Sequence, residues 1–132
     1  KTERSFGNTC CNTELGEGDT LHSLEPLIEE LFVAGRGPFN KQAVDVSAIN
    51  YNALGHFGAD GRTFEDLKQE IDTGIEAGGW VIYMIHGVGE GTHGMCIESA
   101  EHQRLVDYLG ERQDTIWTAP VAIVARYLRD FS

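Results

Sequence analysis

Residues 80–85, Trp-Val-Ile-Tyr-Met-Ile, form a run of six apolar side chains rich in β-branched and aromatic types, and a histidine follows directly at His86. A run this short does not span a bilayer, which takes about 20 apolar residues. Its composition predicts a strand covered on both faces, the environment of a parallel sheet flanked by helices. Such a sheet gathers its ligand sites at the carboxyl ends of its strands, and His86 stands at one of those ends.

The rest of the chain supplies the crossovers. Leu24, Leu27, Ile28, Leu31 and Phe32 recur at helical spacing in segment 23–35, with Asp19 or Ser23 as the cap. A second helix is predicted over 63–79, where Thr63 and Asp66 form a capping box, Phe64, Leu67, Ile71 and Ile75 a buried stripe, and Gly78-Gly79 the stop. A third begins at Glu98 or Ser99. A second buried strand is expected at TIWTA, 115–119, before a last helix with Pro120 at its first turn. Residues 4–8 read as a short strand, and 43–58 carry no clear period. The alternation of strand and helix predicts an α/β fold in one domain, 1–132.

The segment Gly89-Glu90-Gly91-Thr92-His93-Gly94 matches the spacing of a dinucleotide-binding loop. Such a loop opens straight into its helix, whereas Met95-Cys96-Ile97 intervene here, and TIWTA ends in Ala119-Pro120 instead of an acid for a ribose hydroxyl. No phosphate-binding P-loop motif is present. The formal net charge of −11 argues against nucleic acid or an anionic membrane as partner. Cys10, Cys11 and Cys96 make no disulfide framework and read as reduced thiols. Cys10 as a nucleophile needs the fold to bring it to His86.

GGWVIYMIHGVGEG, a helix, and TIWTAPVAIVARYLRDF together resemble the C-terminal half of the polysaccharide deacetylases of carbohydrate esterase family 4. ERSFGNTCCNTELGEGD is similar to that family's arginine-bearing segment, although Thr9-Cys10-Cys11 stand where the family has a Pro-x-Gly turn. The resemblance implies one half of a distorted (β/α) barrel, completed by another chain, a missing N-terminal half or a second copy in a homodimer. It implies removal of acetyl groups from a polysaccharide such as acetylated xylan or chitin, in a secreted or periplasmic setting, with a divalent metal such as zinc. His86 would be the general acid, Met84 the wall of the acetyl pocket, Arg4 the orienting arginine, and Trp80 a core residue or a face for the sugar. Asp45, Asp60, Asp66 and Asp72 are the candidate bases, with Asp45 preferred. The metal ligands are not identified: the family's Asp-Asp and His-x-x-x-His pairs are absent, and His86 and His93 with Cys10 or Cys11 are the nearest set. A catalytically inactive carbohydrate-binding or assembly module is the alternative.

Overall fold

The computed structural model describes residues 3–91 and 93–131, so Lys1, Thr2, Ser132 and Thr92 of the glycine loop lie outside the described residues. The fold is mixed α/β, with short parallel strand pairs and four α-helices. β1 (Ser5–Gly7) pairs in parallel with β4 (Ala34–Arg36), Phe6 opposite Gly35. Between them lie a short antiparallel ribbon, β2 (Glu14–Leu15) with β3 (His22–Ser23), and helix α1 (Glu25–Leu31). His22 is therefore in a strand.

The parallel array continues past β4. Leu54 bridges Arg36 in parallel, and its N–H donates to the Gly35 carbonyl at 2.8 Å. The chain then runs into β5 (Phe57–Gly58), which pairs in parallel with β6 (Tyr83–Met84). The expected α1 is shorter than its periodic segment because the chain from Ala34 is drawn into β4 beside β1. Ser23 Oγ accepts from the Glu25 N–H at its start.

Helix α2 (Phe64–Glu76) begins with the capping box read from Thr63 and Asp66, each side chain taking the other's backbone N–H. It packs on α3 (Ser99–Gly110), and Ala59, Phe64, Leu67, Ile71, Ile97, Leu105 and Tyr108 form one buried cluster between them. A second cluster, Ala34, Leu54, Ile82 and Ala125, lies under α4 (Val121–Asp130). Gly74 allows α2 to sit close, since a Cβ there would lie 2.4 Å from Val81 Cγ2.

Two strand expectations are corrected. Only Tyr83–Met84 of segment 80–85 joins the array; Trp80 instead forms an antiparallel bridge with Val44, and of the six only Ile82 is buried. TIWTA is not a strand, and Trp117 is 54% exposed. Strand backbone persists where a neighbour takes its N–H and C=O groups. Among the described residues nothing pairs with β6 on its other side, so 115–119 lies across an apolar trough instead. That trough, about 630 Å³, is walled by Trp80, Tyr83, Ile116, Val121 and Tyr127. No helix among the described residues is long and apolar enough to cross a membrane.

Candidate functional site

The carboxyl ends of β1, β4, β5 and β6 face one cavity of about 410 Å³, lined by Cys10, Cys11, Phe39, Lys41, Gly58, Asp60, Arg62 and Met84. Each strand delivers its contribution by length alone. β5 ends at Gly58, which places Asp60 two residues beyond it, and β6 ends at Met84, which places His86 at the same level. Because these strands are parallel neighbours, the two side chains meet.

Their geometry is bidentate. His86 Nδ1 lies 2.6 Å from Asp60 Oδ2, and the His86 backbone N–H donates to Oδ1 at 3.3 Å. The carboxylate therefore selects the tautomer with hydrogen on Nδ1 and leaves Nε2 for other chemistry. The His86 side chain is 34% exposed and that of Asp60 23%. The pair is open to a ligand while anchored on the sheet, and His93 packs edge-on against the His86 ring at 6.4 Å between centroids.

His56 is fully buried just before β5. Its Nε2 is 3.7 Å from Cys11 Sγ. Burial and then the nearby Arg36 charge hold the imidazole below its ordinary pKa, with the Pro38 backbone opposing, so the ring is neutral at pH 7. Arg36 is locked by Asn8: its guanidinium donates to the Asn8 carbonyl at 2.9 Å, and the Asn8 amide donates to the Arg36 carbonyl at 2.8 Å. This exchange ties the turn after β1 to the end of β4 and so fixes Cys11 beside His56.

The residues singled out from sequence divide accordingly. Met84 and His86 come to the cavity side of β6. Asp45 does not reach His86. Its neighbour Val44 bridges Trp80, six residues before His86, a span of roughly 20 Å along extended chain. Asp45 is spent on a turn, accepting from the Ser47 N–H at 2.8 Å and Oγ at 2.7 Å, bonds that hold its carboxyl below the usual range. Asp66 caps α2, and Asp72 accepts from Lys68 and Tyr108, so Asp60 alone of the four candidate acids touches His86. Arg4 is exposed at the amino end of β1, away from the cavity, where its carbonyl accepts from Val33. Arg36 and Arg62 are the arginines at the carboxyl ends. Trp80 lines the trough at the opposite end of the sheet.

Sequence reasoning passed over His56, Asn8 and Arg36. The available signal was Gly55-His56-Phe57-Gly58, a histidine between glycines, set in the stretch whose period was unclear. Cys10 does not meet His86; the thiol that meets an imidazole is Cys11, and the imidazole is His56. Among the described residues no three His, Cys, Asp or Glu side chains converge as a metal would require. The divalent ion implied by the resemblance thus finds no fitting ligand set among the described residues. The glycine loop is stapled by Gly89 N–H to Ile97 O and Ile97 N–H to Gly87 O before α3 begins, so it does not open into a helix N-terminus. Comparison with protein-family models, with curated proteins and with solved structures finds no match.

Proposed function

We propose that this chain supplies the acid–base side of a carbohydrate esterase that hydrolyses acetyl groups on a polysaccharide such as acetylated xylan or chitin. The observation that supports it is the Asp60–His86 pair at the carboxyl ends of adjacent parallel strands, beside a cavity bordered by Met84. In this reading His86 Nε2 takes a proton from the water that adds to the acetyl carbonyl, and the imidazolium so formed returns it to the departing sugar oxygen or amine as the C–O or C–N bond breaks. Asp60 holds the ring in the orientation that transfer needs. Met84 offers an apolar wall to the acetyl methyl.

The half-barrel belongs to the same proposal. The side of β6 that no described residue pairs with, and the apolar trough beside it, support completion by further strands, from another polypeptide or a second copy. The added part would also be the source of metal ligands. An inactive binding or assembly module is the second reading, favoured by the lack of a converging ligand set among the described residues.

The test is acetate release from acetylated xylan by the purified chain, with and without prior chelation, beside His86→Ala and Asp60→Asn. Release that falls on the order of a hundredfold in His86→Ala supports the assignment. Release unchanged in that variant overturns it, and no release from any acetylated glycan favours the inactive module.

A further inference from the structure

Three non-glycine residues among those described have left-handed backbone: Cys10 at φ 52°, Cys11 at φ 59° and Lys41 at φ 55°. All three line the same cavity. L-residues resist this conformation, and it persists where the surroundings impose it, often at sites of binding or chemistry. Here the twin left-handed turn carries the Cys11 thiol to a buried imidazole, 3.7 Å from His56 Nε2. The cysteine is half-exposed while the histidine is inaccessible, the arrangement of a nucleophile in front of its base.

We propose that Cys11 and His56 form an acyl-accepting thiol–imidazole pair whose substrates are small acyl esters entering this cavity. The Cys11 S–H proton passes to His56 Nε2, which is an acceptor when the ring hydrogen is on Nδ1. The sulfur adds to the acyl carbonyl carbon to give a tetrahedral intermediate. Lys41 lies on the cavity wall to balance its oxygen charge. Collapse breaks the ester C–O bond, the alcohol leaves with the proton returned from His56, and the acyl group stays on sulfur as a thioester. Water then hydrolyses the thioester to the carboxylic acid and restores the thiol. Phe39, whose ring centroid is 5.5 Å from that of His56, and Met84 give the acyl chain an apolar lining.

This chemistry uses Cys11 and His56 in place of Asp60 and His86 and does not depend on the polysaccharide reading. The full chain is mixed with p-nitrophenyl acetate, p-nitrophenolate release is followed on the millisecond to second scale, and the acyl adduct is mapped by tandem mass spectrometry. The expected result is a burst approaching one equivalent, with a hydroxylamine-labile acetyl group on Cys11 ahead of Cys10 and Cys96. Labelling of Cys10 or Cys96 at the same rate as Cys11, or no adduct on Cys11, overturns the pair. His56→Gln is expected to slow Cys11 acetylation on the order of a hundredfold. If that variant unfolds by circular dichroism, the mapping on the unmodified chain decides alone. A Cys11 adduct with no acetate release from acetylated xylan upholds the pair and favours the inactive module over the deacetylase; release without the adduct upholds the deacetylase reading and overturns the pair.

Discussion

Gly37→Ala is the substitution that most sharply probes how the site is assembled. Gly37 is buried where β4 leaves the sheet, and its N–H donates to the Leu54 carbonyl at 2.7 Å. A Cβ built there would stand 2.6 Å from Ala53 C, 2.7 Å from its Cα and 2.8 Å from its O. These are backbone atoms, so no rotamer change relieves the overlap, and segment 53–54 must move away from β4. Such overpacking costs about 1–3 kcal/mol. Loss of the bond to Leu54 adds about 0.5–1.5 kcal/mol. Alanine's smaller unfolded-state freedom returns about 0.4–1 kcal/mol. The net is a destabilisation of about 2 kcal/mol. With a urea m-value of about 2 kcal/mol/M, the midpoint should fall by about 1 M at unchanged m. Gly110→Ala, in the last turn of α3 with open space around it, is the control and should be neutral or stabilising by about 0.5 kcal/mol. A Gly37→Ala midpoint within 0.2 M (roughly 0.4 kcal/mol) of the parent would refute the contact between β4 and segment 53–54 on which the placement of His56 rests.

Leu67→Ala, at a fully buried position between α2 and α3, should cost about 2–5 kcal/mol in urea unfolding, and a cost under about 1 would mean that the helices do not share this core. Thr63→Ala removes the side-chain half of the capping box and should cost about 0.5–2 kcal/mol, read as a lower thermal midpoint. For His56 the folded-state pKa lies below the unfolded one, so the unfolded chain binds more protons; stability is full above about pH 6.5 and declines as pH falls below that value. Thermal midpoints at pH 7.5 and 5.5 should therefore drop in the parent more than in His56→Gln, the difference bounded by about 1.4 kcal/mol per pH unit for one proton. Identical pH slopes would show that His56 is not buried neutral. Asp60→Asn should leave folding intact by circular dichroism while reducing any acetate release by at least the order of tenfold, because an amide no longer fixes the His86 tautomer.

Local signals carried the helices well and the strands poorly. The Thr63–Asp66 box and the Phe64, Leu67, Ile71 stripe mark α2 because capping and periodicity are decided within a dozen residues. TIWTA has the composition of a buried strand, yet strand formation depends on a neighbour's backbone, and the described chain gives it none. Segment 43–58 lacked a readable period because it is used for an antiparallel bridge, a turn and a two-residue strand in succession, each satisfied by a different neighbour.

The site divides in the same way. Sequence alone determined that an apolar run would end in His86, and that Met84 would sit two residues before it. Which acid meets that histidine is a matter of register: Phe57 opposite Tyr83 and Gly58 opposite Met84 set Asp60 level with His86, while Val44 opposite Trp80 holds Asp45 at the far end. The union of Cys11 with His56, 45 positions apart, required β1, β4 and the Leu54 segment to align side by side. Periodicity and capping are written in neighbouring residues and can be read there. Register and parallel pairing come from hydrogen bonds between distant segments, so only the folded sheet decided which side chains share the cavity.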